Sequence, residues 1–211
     1  MSARVETMPR GLVVGVLVMM LVVLGLGGAV IAIKLRPQAL PTTAVDRSVA
    51  LWEDEVAKHP ESADAHTGLG LALLDAAKQD DARNEFETAI GLDDAAWMAK
   101  LQLGLLLKDT DPKRAVELIG GAAKAAPEES RIAPLIALGD VLLAQNDAEG
   151  ARDAYRRSIA YNPFTFDAHY GLGQAFEALG DPVGALKEYK EAKRFEPTNQ
   201  DVNDAIARLQ G

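Results

Sequence analysis

Residues 166–199 read FDAHYGLGQAFEALGDPVGALKEYKEAKRFEPTN, and the rest of the chain is organised around this stretch. Two apolar-periodic segments flank Gly180-Asp181-Pro182. A glycine there can adopt the left-handed conformation that ends a helix, an aspartate caps the next helix, and a proline suits its first position. The stretch is therefore expected to form a helix, a tight turn and an antiparallel second helix. Its pattern is set by Leu172-Gly173, Phe176, Ala185, Tyr189, Ala192 and Pro197. The small Gly173 and Ala185 would let the helices approach closely, with Phe176 and Tyr189 filling the space beside them.

The same pattern recurs upstream. Leu138-Gly139, Leu142, Ala151, Tyr155 and Pro163 form one copy, and Leu103-Gly104, Leu107, Ala115, Ile119 and Pro127 a second; Leu69-Gly70, Leu73, Ala82 and Phe86 form a third. Gly70, Gly104, Gly139 and Gly173 are 34, 35 and 34 residues apart. Over residues 63–199 the chain resembles the tetratricopeptide repeat (TPR) family, whose period is about 34 residues and whose signature pairs Leu-Gly in the first helix with Ala-x3-Phe in the second. Departures are local: His66, Lys100, Leu135 and His169 stand where the family often has Trp, and Asp94 replaces the closing Pro of the first copy. The second and third copies differ further by turn changes near Asp111 and Ser130.

The repeats are read as residues 63–96, 97–131, 132–165 and 166–199. Residues 46–62 regain helical spacing through Val49, Trp52 and Val56, as the second helix of a half repeat that covers the apolar end of the first full one. Residues 200–211, with Val202, Ala205, Ile206 and Leu209 at helical spacing, give a C-terminal capping helix. Gly120-Gly121 weaken the second copy, because each costs about 1 kcal/mol relative to Ala inside a helix; close helix packing is the expected compensation.

Ahead of the repeats, residues 1–10 form a short tail and residues 11–33, GLVVGVLVMMLVVLGLGGAVIAI, carry no charged or strongly polar side chain. At 1.5 Å per residue such a helix reaches about 35 Å, enough to cross a hydrocarbon core of roughly 30 Å. A cleaved signal peptide is the competing reading, but its apolar region runs about 7–15 residues and no A-x-A site follows this one. Gly11 with Gly15, Gly25 with Ala29 and Gly28 with Ala32 have the spacing that lets a second transmembrane helix pack closely, but Gly is common in membrane helices generally, which is the stronger reading. Residues 34–45, with Pro37 and Pro41, read as an extended linker. The expected fold is all-α: one N-terminal transmembrane helix followed by a right-handed TPR solenoid. Lysine and arginine flank the span on both sides, so their count does not fix its orientation. A short tail before the span and a large acidic domain after it resemble the plan of a single-pass protein of the bacterial inner membrane, so the repeats are expected on the extracytoplasmic side, with a cytoplasmic domain as the alternative.

Charge narrows the function classes. The chain of 211 residues has a net charge of −9 and no Cys. Residues 1–36 carry Arg4, Arg10, Lys34 and Arg36 against Glu6, a balance of +3, which leaves −12 for residues 37–211. So acidic a domain is unsuited to nucleic acid, which requires clustered Lys and Arg to neutralise phosphates. Without Cys there is neither disulfide nor thiolate chemistry. No phosphate-binding glycine loop and no His-Glu pairing at metal-ligand spacing is present, so no catalytic residue, metal site or cofactor is expected. His66 and His169 occupy equivalent positions of the repeat, which points to packing rather than to metal binding.

The TPR resemblance implies a groove lined by the inward residues of the first helices, holding a peptide or helix of a protein client. Those positions are Thr67, Leu71 and Leu74, then Leu101, Leu105 and Lys108, then Ile136, Asp140 and Leu143, then Tyr170, Gln174 and Glu177. The Lys and Asn set with which TPR domains grip a carboxyl-terminal chaperone tail is missing, whereas a row of leucines suits an amphipathic helix. Membrane helix, spacer and TPR domain together are similar to the bacterial factors that hold apocytochromes during c-type cytochrome biogenesis. The expected function is a non-enzymatic, membrane-anchored adaptor that captures a client segment for assembly or maturation of envelope proteins. The alternative is a permanent structural subunit bracing a membrane complex, without a client cycle.

Overall fold

Each copy of the repeat folds as an antiparallel helix pair, with local signals fixing where the helices start and stop. The computed structural model describes residues 43–211. In it α1 runs Ala44–Lys58, α2 Ala63–Asp75, α3 Gln79–Leu92, α4 Trp97–Leu107, α5 Pro112–Ala125, α6 Ile132–Ala144, α7 Ala148–Tyr161, α8 Phe166–Ala178, α9 Pro182–Phe195 and α10 Gln200–Gln210. A 3-10 turn, Glu128–Ser130, precedes α6. The described residues contain no strand, and the architecture is an all-α TPR-like solenoid. The expected tail, transmembrane segment 11–33 and linker residues 34–42 lie outside the described residues. Among the described residues no helix is long and apolar enough to cross a membrane.

The linker expected over 34–45 gives way to helix at Ala44, because Thr43 and Asp46 form a capping box: each side chain accepts a hydrogen bond from the other residue's backbone N–H at 3.0 Å. At the turn of the fourth copy, Gly180 is left-handed at φ 74° and Pro182 opens α9. Asp181 caps it, accepting from the Gly184 N–H at 2.9 Å. Asn146 and Ala77 hold the same left-handed place at φ 62° and 57°. In these three turns the next N–H reaches back to the carbonyl of Leu73, Leu142 or Phe176 at 2.8–2.9 Å, which closes the helix end. The second copy has no left-handed residue at its turn; α4 stops after 11 residues where α2, α6 and α8 run 13, and Asp111 N–H bonds to the Leu107 carbonyl at 2.7 Å. The turn itself, residues 108–111, is one residue longer than in the other pairs, but α4 is two shorter, and the longer connection 126–131 after α5, which holds the 3-10 turn, adds two residues back, which produces the 35-residue step.

The repeat glycines make room for side chains of the second helix. A β-carbon at Gly173 would lie 2.6 Å from the Tyr189 ring, at Gly139 2.6 Å from Tyr155, at Gly70 2.5 Å from Phe86, and at Gly104 2.5 Å from Ile119. Phe86, Ile119 and Tyr155 are fully buried and Tyr189 very nearly so. Complete burial of such side chains contributes about 1.5–3 kcal/mol each. A second seat lies between repeats: Tyr155 also occupies the space of a missing β-carbon at Gly171, 2.4 Å away, and Trp52 does the same at Gly68, 2.5 Å away. Trp52 of α1 thus plays the part of Tyr155 in α7, and α1 packs on α2 as α7 packs on α8.

Each first helix packs most extensively on the second helix of its own pair and then on the second helix of the preceding pair, so buried residues link repeat to repeat. Gly120-Gly121 differ from the close approach expected of them. A β-carbon at Gly120 would meet nothing within 4 Å, and one at Gly121 only the Lys100 side chain at 3.4 Å.

Candidate functional site

The first helices α2, α4, α6 and α8 carry the expected groove residues, and packing divides them into three groups. Leu71 and Leu74 on α2, with Ile136 and Leu143 on α6, are half-buried: one side of each rests on the core and the other remains open. Leu105 on α4 is 36% exposed, and Lys108, just beyond α4, is exposed. These side chains form a partly open apolar stripe with a cation at its edge.

Two expected groove residues lie in the interior. Leu101 is 7% exposed within the main core, and Thr67 is buried with its hydroxyl donating to the Ala63 carbonyl at 2.7 Å. The reason is that α2 and α4 are each covered on two sides, by their own second helix and by the helix before them. That leaves a stripe narrower than the resemblance implied. Leu101, one turn before Gly104, falls on the covered side.

The polar end of the expected groove is committed to internal bonds. The Tyr155 hydroxyl donates to Asp140 at 2.6 Å, and the Tyr189 hydroxyl donates to Glu177 at 2.7 Å. Arg208 of α10 adds two bonds to the Glu177 carboxylate, at 2.6 and 2.9 Å. The Arg208 guanidinium holds the Glu177 carboxyl below its usual range, against the effect of partial burial. Glu177 therefore fastens the capping helix. Tyr170 stacks on Phe166 with ring centroids 5.7 Å apart and rests beside Tyr189, and Gln174 is half-buried.

The structure also contains a repeated polar device. His169 places Nδ1 2.8 Å from Glu188 Oε2 and Nε2 3.1 Å from the Pro163 carbonyl oxygen. His66 does the same, with Nδ1 2.6 Å from Glu85 Oε2 and Nε2 3.1 Å from the Pro60 carbonyl. Each ring ties the first helix to the second helix and to the chain entering the pair. A carboxylate and a carbonyl both accept hydrogen bonds, so His169 satisfies both only when both ring nitrogens carry protons. Its hydrogen bond to Glu188 accordingly raises its pKa above the ordinary histidine value, although burial opposes this. Burial would raise the Glu188 carboxyl, but the bond and charge of His169 hold it below its usual range. The sequence carried a signal for these ties: in both copies a glutamate follows the histidine by 19 residues. At the other two histidine-equivalent positions, Lys100 pairs with exposed Asp94 at 2.7 Å and Leu135 is fully buried.

The family model of the tetratricopeptide repeat matches residues 45–96 and 136–209. The chain belongs to the tetratricopeptide repeat family. The TPR match passes over residues 97–135, the stretch that holds α4, α5 and the 3-10 turn. Among solved structures, MamA is similar with a TM-score of 0.64 and 20% identity, over 74% of this chain and 96% of that one. YrrB, described as a TPR protein with an unusual peptide-binding site, is similar with a TM-score of 0.68 and 17% identity, over 76% of this chain and 82% of that one. The pilF protein of Pseudomonas aeruginosa gives a TM-score of 0.67 and 16% identity, over 78% and 81%. At such identities these likenesses establish the fold. No curated protein sequence matches the chain significantly. A TPR stack is an interaction scaffold, because successive repeats build an extended surface for other proteins.

Proposed function

We propose that this TPR protein is a membrane-anchored adaptor. Residues 11–33 would hold it in the bacterial inner membrane with the repeats on the extracytoplasmic side, and the open stripe of its first helices would take an amphipathic helix or peptide of a client. The supporting observation is Leu105, left 36% exposed on a first helix while half-buried Leu71, Leu74, Ile136 and Leu143 present apolar surface on the helices before and after it. Apolar side chains in a partly open stripe gain from a partner's apolar face, each contributing up to roughly 1 kcal/mol when its remaining exposed third is covered, since burial of a wholly exposed leucine is worth about 1.5–3 kcal/mol. The clients would be envelope proteins under assembly or maturation, with c-type cytochrome biogenesis as the pathway favoured by the anchor-spacer-TPR plan.

A photo-crosslinking residue placed at Leu105 or Leu74 of the full chain in its native membrane tests this reading. The expected adduct is with an apolar segment of an exported protein, and the adduct from position 74 is expected to be abolished by Leu105→Glu. Adducts formed in fixed stoichiometry with resident membrane subunits would favour a permanent brace instead. The absence of adducts from both positions, with adducts from outer-face positions, would remove the first-helix stripe as the binding site.

A further inference from the structure

A second recessed surface lies on the other side of the stack, where α7 and α9 leave a cleft of about 640 Å³ floored by α8. Helical spacing turns His169, Leu172 and Phe176 of α8 toward it, a different stripe from Tyr170, Gln174 and Glu177. Phe164, in the connection between α7 and α8, is 76% exposed at its mouth, and its ring meets the edge of Phe195 at 6.3 Å. Such an exposed aromatic next to a cavity is costly surface to leave in water. Arg156 lies 5.4 Å from the centroid of the Phe176 ring, and among the described residues no carboxylate pairs with it. Arg194 and Lys187 stand on the α9 side, Arg194 2.6 Å from Glu191 and Lys187 3.6 Å from Glu188.

Charge says what would fill this cleft. The second helices α5, α7 and α9 carry net charges of +2, +1 and +2, whereas the rest of residues 37–211 carries −17. The cleft thus sits in a basic strip of an otherwise acidic protein, which would steer a negative partner toward it and away from the remaining surface. We propose that the cleft between α7 and α9 is a docking site for an acidic peptide segment of a partner protein, one carrying an aromatic or aliphatic side chain among its Asp and Glu residues. That side chain would enter between Phe164, Phe195 and Phe176, and its flanking carboxylates would meet Arg156, Lys187 and Arg194. A peptide fits better than an anionic bilayer, because half-buried Phe176 and Phe195 line a recess behind Phe164 and the cleft wall includes the carboxylates of Glu188 and Glu191. Glu188 is taken up by His169 and Lys187, Glu191 keeps a second oxygen that can accept from a peptide N–H, and both carboxylates repel lipid phosphates. This site rests on observations separate from those for the first-helix stripe.

The test uses the full-length chain in zwitterionic detergent and fluorescein-labelled short peptides rich in Asp and Glu with one central Phe. Anisotropy is expected to show saturable binding that falls at least about tenfold in the double variant R156E/R194E and severalfold in Phe164→Ser, with helix content retained and with Leu105→Glu showing no effect. The same peptides with Lys in place of Asp and Glu are expected not to bind. Equal binding of the Lys peptides, no saturable binding, or binding unmoved by R156E/R194E would overturn the proposal. So would displacement of the peptide by soluble short-chain phosphatidylglycerol but not phosphatidylcholine at matched concentration, which would make the strip a lipid-headgroup surface.

Discussion

Repeats 2 and 4 of the same solenoid reach the same helix-pair geometry from unequal sequences. Repeat 4 has a left-handed glycine at its turn, a tyrosine seated on Gly173, and the His169–Glu188 tie. Repeat 2 has a shorter first helix whose turn lacks a left-handed residue, an isoleucine seated on Gly104, Lys100 and Leu118 where the tie would be, and two glycines inside α5. The family model accordingly covers repeat 4 and passes over repeat 2. What both keep is the glycine and a fully buried Ala, Ala115 or Ala185, with a large apolar side chain one turn later. The small-large complementarity at the helix crossing holds the pair together; caps, turns and polar ties reinforce it and are dispensable one at a time.

The largest effect should come from violating that complementarity in the stronger repeat. Gly173→Leu would drive a side chain into the Tyr189 ring, which is buried and has no room to move, and should cost more than about 3 kcal/mol, the upper end of overpacking. Chemical denaturation with tyrosine fluorescence would measure it; an unchanged midpoint would mean that the glycine is not the contact that defines the repeat. Next in size is a pair of variants within repeat 2. Leu101→Ser should cost about 2–5 kcal/mol, as for other large core truncations, while Leu105→Ser, at a position already 36% exposed, should cost only about 1–2 kcal/mol. Equal melting temperatures for the two would undo the division between core and open stripe.

The polar tie comes third. His169→Ala leaves Glu188 buried beside only Lys187 and should cost about 2 kcal/mol; Lys100→Ala at the equivalent place of repeat 2 should cost under about 1 kcal/mol, because its partner Asp94 is exposed. The tie also carries a pH signature. The raised pKa of His169 means that its contribution is complete below the unfolded value of about 6.5 and is lost as pH rises through the folded value. The lowered pKa of Glu188 means that its contribution is complete above about 4.3 and is lost as pH falls through the folded value. The wild-type advantage over His169→Ala should therefore peak between these limits and shrink toward alkaline pH; a flat difference would show that the ring serves only to pack.

Much of this architecture was legible because it rests on periodicity. The 34-residue spacing of glycines, the Gly180-Asp181-Pro182 turn and the half-repeat role of Trp52 all follow from local rules that one sequence displays. The first-helix surface was less legible. A leucine at helical spacing reads the same whether it faces a groove or the preceding repeat, and only the stacking of three helices separated Leu101 from Leu105. Asp140 and Glu177 read as ligand-facing until Tyr155, Tyr189 and Arg208 were found to claim them, through contacts 12–31 residues away. The recurrence of His66 and His169 shows in the sequence, but their pairing with Glu85 and Glu188, 19 residues on, depends on how the two helices of a pair pack. The cleft between α7 and α9 joins Arg156 to Arg194 across two repeats, and no single-repeat template shows it.

The smallest predicted effect sharpens the comparison most, because it asks whether the weakness of repeat 2 is structural necessity or slack. Gly120 lies inside α5, and beyond its own helix backbone and chain neighbours nothing comes within 4 Å of where its β-carbon would stand, so Gly120→Ala removes backbone freedom from the unfolded chain and adds no clash. It should stabilise the protein by about 0.5–1 kcal/mol, the ordinary difference between glycine and alanine in a helix interior. Gly121→Ala meets the Lys100 side chain at ordinary contact distance and should gain no more than this. Thermal melting monitored by circular dichroism and hydrogen exchange in α5 would register both. If Gly120→Ala raises stability and leaves client capture intact, the glycine pair is tolerated slack in a repeat that its neighbours hold in place. If it raises stability but weakens capture, then the softness of α5 serves binding, and the repeat that departs furthest from the family pattern would be the one that moves.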